Sequence, residues 1–343
     1  MTNTSNETNT SLPIIDISSF LNPRGLSDKD DKGQRQRVAR KVHSACVNQG
    51  FFYVTGFDNV VSRQEMIDIL QITREFFNSP EHEKRSVAIR KGDAARGWQQ
   101  LGKNVTQGYA DHHEGYDLYR PVDNEDPSKL LHGSNPWPNN PPAFRPKLEA
   151  WIEKMSILGR ALMECTAMGL GIEPGSNEFN RLMAQTDKSF WVQRCIGYPP
   201  LPQDNGKGIS CGQHYDYGCF TLLHADDTRN ALQVFLRDDE QGQDLENNTR
   251  GHWINADPLP DCLVVNIGEM WEIWSNQLYK ATLHRVIHKG SSYRVSIPFF
   301  YEPNFDALIE PLPSALKQTG GQPKQKSVVY GEHLARKVSG NFL

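Results

Sequence analysis

Gly212-Gln-His-Tyr-Asp-Tyr-Gly218 is the most informative stretch of the sequence. His214 and Asp216 lie two residues apart in a run, 213–223, that we predict to be a β-strand. Because alternate side chains of a strand point to the same face, the imidazole and the carboxylate would lie side by side. Together they can form two corners of a metal site, although such a pair also occurs by chance in surface turns before strands.

The second half of the chain consists of short β-rich runs separated by turn signals. Strands are predicted over 191–198, 213–223, 232–236, 253–256, 262–267, 284–288 and 293–301. Strands spaced in this way are typical of a sandwich, a jelly roll or a barrel. A polar, acidic stretch, 237–250, interrupts the series and is predicted to be a surface loop.

The first half of the chain is dominated by helical patterns. Apolar spacing predicts helices over 34–49, 63–78, 144–165 and 176–186, short strands over 12–17 and 50–55, and a final helix over 327–338. We therefore divide the chain into a disordered leader (1–11), a mostly helical flanking region (12–185), a β-rich core (186–310) and a helical tail (311–343).

Composition excludes several classes of protein. With 343 residues and 37% hydrophobic residues, the chain is long and apolar enough for a sizeable core. Its net charge of −4 argues against a nucleic-acid partner, and no apolar run approaches the ~20 residues of a membrane span. The leader lacks the features of a secretory signal, and the six scattered cysteines indicate reduced thiols, so we expect a cytoplasmic protein. The sequence contains no heptad pattern, so it does not indicate an oligomeric state.

A third metal ligand has to come from a distant part of the chain. His284 opens another predicted strand after a predicted turn at 275–277. Two histidines and one carboxylate on one face of an iron ion leave three coordination positions open, as in non-haem iron(II) oxygenases. A cosubstrate can chelate the metal through two of these positions, and O₂ can take the third.

Arg294 and Ser296, ten and twelve residues beyond His284, share one face of the last predicted strand. A guanidinium group offers two parallel donors that match a carboxylate, and the hydroxyl adds another donor. A dicarboxylate such as 2-oxoglutarate needs this combination at the end distant from the metal. The alternative is a structural ion pair between Arg294 and an acidic side chain.

Five motifs occur in an order that resembles a known family: the HxD pair, Asn266-Ile-Gly-Glu269, Trp274-Ser-Asn276, His284-Arg-Val286 and Arg294-x-Ser296. The series is similar to that of the iron(II)- and 2-oxoglutarate-dependent oxygenases of the isopenicillin N synthase-like group. The segments 12–16, 50–54, 96–98 and 330–334 also resemble that group. The similarity therefore extends over nearly all of the chain after the leader.

The resemblance implies a mixed α and β fold with a double-stranded β-helix, or jelly-roll, core, flanked by N-terminal helices and closed by a C-terminal helix. It implies that Fe(II) is bound by His214, Asp216 and His284. The distal carboxylate of 2-oxoglutarate would bind Arg294 and Ser296.

Two further residues take their expected roles from the same resemblance. Tyr198, just before a proline, would lie near the iron-side carboxylate, and Phe300 would contact the substrate. A core position is the alternative for both side chains. Tyr215 between the metal ligands, Trp271 and the long stretch between Asp216 and His284 depart from the family pattern, so the resemblance alone does not identify the substrate.

The implied activity is oxidation of a C–H bond in a small organic molecule, with O₂ consumed, succinate and CO₂ released, and ascorbate as reductant. Hydroxylation, desaturation and cyclisation all remain open, and secondary metabolism is the expected setting. Two alternatives are an iron-dependent oxidase of the same fold that does not use 2-oxoglutarate, and a catalytically silent binding module.

The other histidines have simpler expected roles. We expect His112 and His113 to be solvated or to stabilise a loop, and His224 to make an intramolecular hydrogen bond. His288 would share a strand face with His284 but lie too far along it to be a fourth ligand.

Overall fold

The structure, a computed structural model, describes residues 11–21, 28–90, 95–106, 108–126, 129–202, 209–237 and 251–341. Almost all of the predicted leader and of the predicted surface loop at 237–250 lies outside these ranges. Among the described residues, no helix combines the length and the apolar character needed to cross a bilayer.

The helices of the described ranges fall mostly before and after the β-rich part of the chain. They are α1 (Ser18–Leu21), α2 (Asp28–Asn48), α3 (Arg63–Phe77), α4 (Glu81–Ser86), α5 (Phe144–Gly169), α6 (Asn177–Ala184), α7 (Glu269–Trp274), α8 (Pro313–Gln318) and α9 (Tyr330–Asn341). The side chain of Ser62 caps α3 by accepting a hydrogen bond from the Glu65 backbone.

The strands are short and alternate with turns. They are β1 (Ile14–Asp16), β2 (Phe51–Thr55), β3 (Gly97–Gln99), β4 (Val105–Thr106), β5 (Tyr109–Ala110), β6 (Glu114–Tyr119), β7 (Val192–Tyr198), β8 (Cys211–His214), β9 (Phe220–Ala225), β10 (Leu232–Arg237), β11 (Gly251–Asn255), β12 (Leu263–Ile267), β13 (His284–Val286), β14 (Arg294–Tyr301), β15 (Leu308–Ile309) and β16 (Val328–Val329).

Two sheets form the β core of the described chain. The major sheet has the order β1-β2-β12-β9-β14-β7-β6-β3, and the minor sheet has the order β11-β10-β13-β8. Every pairing in them is antiparallel except β1 with β2. An apolar cluster joins the two sheets, with Ile196 and Val264 from the major sheet packed beside Val234 and Val286 from the minor sheet.

The predicted strand at 213–223 is wrong in one respect, because the structure divides it between the two sheets. β8 pairs with β13 in the minor sheet, whereas β9 pairs with β12 and β14 in the major sheet. The intervening backbone binds α7 instead of a strand: Glu269 N donates to Asp216 O at 2.9 Å, and Met270 N donates to Gly218 O at 3.0 Å. Asp216 therefore lies in the crossing between the sheets, beyond the end of β8.

Strand β6 was not predicted, because its sequence, Glu-Gly-Tyr-Asp-Leu-Tyr, contains two carboxylates. All six of its residues are nevertheless buried. Lys84 Nζ donates to Glu114 at 2.8 Å, and Arg194 Nε donates to Asp117 at 2.8 Å. Cations from distant parts of the chain thus compensate the two carboxylates, which by themselves argue against a buried strand.

Helices α2 and α3 both pack against α5, and α3 and α5 also contact β14 of the major sheet. A glycine permits the closest approach between α5 and this strand. An ideal Cβ on Gly159 would overlap the ring of Tyr301 and come within 2.8 Å of its Cβ. The absence of a side chain at position 159 therefore determines how near the helix lies to the sheet.

We expect Gly159→Ala to destabilise the protein by about 1–3 kcal/mol, the usual cost of overpacking a filled core. The matched control is Gly33→Ala in α2, where the added Cβ would lie 3.7 Å from Arg37 in ordinary contact. The control should gain up to about 1 kcal/mol, because alanine is the better helix former. Urea unfolding measures both changes, and equal effects in the two variants would contradict the packing argument.

Candidate active site

Strand pairing brings the two predicted histidine ligands together. His214 ends β8, His284 begins β13, and the two are cross-strand partners whose ring centroids lie 4.2 Å apart. Oδ1 of Asp216 lies 3.7 Å from Nε2 of His214 and 3.6 Å from Nε2 of His284. Two nitrogens and one oxygen from distant parts of the chain therefore converge on one point.

Backbone carbonyl groups fix the orientation of both imidazoles. Nδ1 of His214 lies 2.8 Å from Gly212 O, and Nδ1 of His284 lies 3.0 Å from Thr282 O. Since a carbonyl oxygen only accepts, each Nδ1 carries a proton and donates it, so Nε2 is the atom that faces a metal. Burial lowers the pKa of His284 to about 4, so this ring is neutral at pH 7. Burial by itself would also lower the pKa of His214, but Cys211 and Asp216 raise it to about 9, so a metal would displace a proton from Nε2 of this ring.

The carboxylate of Asp216 is held by two donors from the major sheet. Asn266 Nδ2 donates to its Oδ2 at 2.6 Å, and the hydroxyl of Thr221 donates to the same oxygen. Burial by itself would raise the pKa of Asp216, but His284, His214 and these two donors bring it below its ordinary value. The ionised group thus keeps Oδ1 free to face the two histidines.

The donor set fits a metal ion that binds through two imidazoles and one carboxylate and retains open positions. Among the described residues, one other cluster has three potential ligands: Asp111, His113 and Cys211. There, however, the Asp111 carboxylate already accepts hydrogen bonds from Asn104, Thr106 and the backbone of residue 212. The His-Asp-His cluster is therefore the better metal site.

The predicted anchor for a diacid lies in the same pocket. Arg294 is 2% exposed, and its Nε and Nη1 atoms are buried without a hydrogen-bond partner among the described residues. The guanidinium group lies over the ring of Tyr198, 4.8 Å from its centroid. A buried cation with unpaired donors is costly unless an anion binds it, so these atoms do not form the alternative structural ion pair.

The remaining predicted site residues line this pocket with Arg294 and the three candidate ligands. Ser296 is next to Arg294 on the inner face of β14, and Phe300 lies further along the same face. Tyr198 is the cross-strand partner of Arg294, and burial raises its pKa to about 12, so the phenol is neutral and can donate a hydrogen bond. The structure therefore brings all of the predicted site residues together.

Two further pocket residues were not among the predicted site residues. Arg194 shares the inner face of β7 with Tyr198, a relation that strand alternation would have indicated. His113 is buried rather than solvated: its Nδ1 hydrogen-bonds Ser210 O at 3.0 Å, and its Nε2 has no partner among the described residues. His224 hydrogen-bonds a backbone carbonyl group as predicted, at 2.9 Å from Met66 O.

A two-sheet core that brings two imidazoles and a carboxylate together with open coordination positions defines the class of non-haem metal oxygenases. The chain belongs to the 2OG-Fe(II) oxygenase superfamily, whose sequence profile matches residues 187–303. Residues 12–140 match the N-terminal family described as non-haem dioxygenase in morphine synthesis. The predicted family is therefore confirmed.

Similar proteins and structures agree with this assignment. The chain is 40% identical to the homoarginine-6-hydroxylase 2-ODD-C23 of Glycine max, covering 97% of this chain and 98% of that protein. A homoarginine-6-hydroxylase of Oryza sativa subsp. japonica is 37% identical over the same shares of both chains. A full-length protein of Neurospora crassa, solved in complex with α-KG and thymine, matches with a TM-score of 0.78 and 25% identity over 98% of each chain.

A putative 2OG-Fe(II) oxygenase of Caulobacter crescentus shares the fold, with a TM-score of 0.77, 23% identity, and coverage of 96% of this chain and 99% of that one. These likenesses confirm the predicted jelly-roll core. They also confirm that the chain is a 2-oxoglutarate-dependent oxygenase that uses Fe(II) and O₂.

Proposed function

We propose specific roles for the residues of this pocket. Fe(II) is held by the candidate ligands, His214, Asp216 and His284. The distal carboxylate of 2-oxoglutarate binds Arg294 and Ser296, the iron-side carboxylate lies beside Tyr198, and the substrate contacts Phe300. The observation that carries the proposal is the convergence of three metal donors beside a buried arginine with unpaired donors.

In this arrangement the protein contributes binding and orientation, while bound Fe(II) supplies the oxidising chemistry with O₂. Arg294 and Ser296 fix one end of the diacid, so that its keto acid end lies toward the histidines. The overall reaction balances: one oxygen atom of O₂ enters succinate as 2-oxoglutarate loses CO₂, and the other enters the C–H bond of the substrate. No acid or base side chain is required for this balance.

We further propose that the substrate is homoarginine or a closely related basic amino acid, and that the reaction is hydroxylation. The support comes from the relatives named homoarginine-6-hydroxylases, at 37–40% identity over nearly the whole chain. The six unpaired cysteines favour a reducing compartment, so we propose a cytoplasmic location. We also retain the division into a flanking region, 12–185, a core, 186–310, and a tail, 311–343.

The test is an assay of the purified protein with Fe(II), ascorbate and 2-oxoglutarate and a panel of homoarginine, arginine, lysine and thymine. We expect homoarginine to stimulate succinate formation most strongly and to give a product that contains one additional oxygen atom. With ¹⁸O₂, mass spectrometry should detect the label in both succinate and product.

Two outcomes would test the proposed substrate and the proposed role of 2-oxoglutarate separately. Succinate formation that responds to thymine and not to homoarginine would contradict the proposed substrate and leave the cosubstrate assignment standing. Product formation without stoichiometric succinate would contradict the proposed role of the diacid pocket.

A further inference from the structure

The pocket contains a second arginine that the proposed roles do not use. Arg194 lies on the inner face of β7 and lines the pocket with the candidate metal ligands and Arg294. Its Nη2 atom is buried and has no hydrogen-bond partner among the described residues. An arginine side chain is always charged, so this donor has been withdrawn from water without compensation.

An acidic side chain of the neighbouring strand holds this guanidinium group in place. Nε of Arg194 donates to Oδ1 of Asp117 at 2.8 Å, and the Asp117 side chain is only 3% exposed. The two residues are cross-strand partners on β7 and β6. Next to Asp117 on the same face of β6 is Gly115, and a Cβ there would lie 3.5 Å from Nη2 of Arg194. Asp117 thus fixes the guanidinium group while Nη2 stays available beside a residue without a side chain.

The position of Arg194 distinguishes it from the diacid anchor. Arg294 is opposite Tyr198, and Arg194 is four residues before Tyr198 on the same strand. At about 3.3 Å per residue, Arg194 therefore lies roughly 13 Å along β7 from Tyr198, the residue opposite Arg294. Phe300, near the Arg194 end, is opposite Thr221, which holds the Asp216 carboxylate. Phe300 is also opposite Val192, two residues before Arg194, so along β7 Arg194 lies closer to the residues beside the metal donors than to Arg294.

We propose that Arg194, positioned by Asp117, binds the carboxylate of the substrate, so that the enzyme selects carboxylic acids over their neutral or decarboxylated analogues. The inference rests on the proposed function. In homoarginine the carboxylate is separated by a chain of methylene groups from the carbon that the names of the relatives identify as the site of hydroxylation. An anchor for the substrate carboxylate that is distinct from Arg294 leaves that carbon free to approach the metal donors.

The test compares homoarginine, its α-carboxamide and its decarboxylated analogue in the wild type and in Arg194→Gln. Affinities are measured by isothermal titration calorimetry of the anaerobic Fe(II)–2-oxoglutarate enzyme, and kcat/KM is measured from succinate release. We expect the wild type to prefer the carboxylate by about 10- to 100-fold, the range for a hydrogen bond to a charged group. Arg194→Gln should lose this preference and keep the wild-type affinity for 2-oxoglutarate.

The matched control is Arg35→Gln, which removes a part-buried ion pair between Arg35 and Glu164, 2.7 Å long, away from the pocket. It should retain the full preference for the carboxylate. Asp117→Asn should weaken the preference partially, because Arg194 remains but is less well oriented. A loss of 2-oxoglutarate affinity in Arg194→Gln equal to its loss of homoarginine affinity would overturn the inference.

The wild type alone is decisive if Arg194→Gln fails to fold. A wild-type enzyme that binds the carboxamide as tightly as homoarginine overturns the inference, while homoarginine turnover would leave the proposed function intact. A wild type that does not accept homoarginine contradicts the proposed substrate. Stimulation by another carboxylic acid of the panel would then support the inference, and stimulation by thymine alone would overturn it.

Discussion

Replacing Asp216 with alanine is expected to lower Fe(II) affinity and succinate formation by more than about 100-fold, since even the outer partners of metal ligands contribute 10- to 100-fold. Oδ1 of this carboxylate is the only oxygen in the candidate site that faces both Nε2 atoms, at 3.6 and 3.7 Å, among the described residues. Alanine would leave two imidazoles without an anionic ligand. Metal analysis after dialysis and anaerobic Fe(II) titration measure the loss.

Two further variants provide a smaller expected loss and a control for comparison with Asp216→Ala. Asn266→Ala removes the donor that holds Oδ2 of Asp216, so it should lower Fe(II) affinity by about 10- to 100-fold, less than the loss of the ligand. Asp68→Ala removes a carboxylate that pairs with Lys147 at the surface, and it should retain full metal content. An Asp216→Ala protein that keeps its Fe(II) and its activity would contradict the proposed metal site.

Much of the β core could be predicted because its pattern is local. Tyr198 before a proline and the alternation of Arg294 and Ser296 are properties of single strands, and the structure retains them in β7 and β14. Strand β6 could not be predicted, because the burial of Glu114 and Asp117 depends on Lys84 and Arg194 elsewhere in the chain. A strand stabilised by distant cations has no signature in its own six residues.

In the candidate site, too, the local features could be predicted and the long-range contacts could not. The HxD spacing identified His214 and Asp216, but the reason given for it, a shared strand face, does not apply. Asp216 is brought to His214 by the crossing between the sheets, which the backbone of α7 holds in place. The partner of His214 on β13 and the donors from Thr221 and Asn266 depend on strand register, which a single sequence does not specify.

Arg294→Gln is expected to weaken 2-oxoglutarate binding by about 100-fold or more, because a charged donor pair in a buried site is replaced by a single neutral amide. Nε and Nη1 of Arg294 have no partner among the described residues that could offset the loss. Arg294→Lys should be intermediate, since it restores the charge but not the forked geometry. Calorimetry of the anaerobic Fe(II) enzyme with 2-oxoglutarate gives the affinities.

A second ligand shows whether the effect comes from the distal carboxylate. 2-Oxobutyrate keeps the keto acid and lacks that carboxylate, so the wild type should bind it far more weakly than 2-oxoglutarate, and Arg294→Gln should bind the two alike. The matched control is Arg285→Gln on β13, whose guanidinium group lies 3.9 Å from the ring centroid of Trp253 and does not line the pocket. It should bind 2-oxoglutarate as the wild type does. If Arg294→Gln still discriminates between the two keto acids, Arg294 does not hold the diacid.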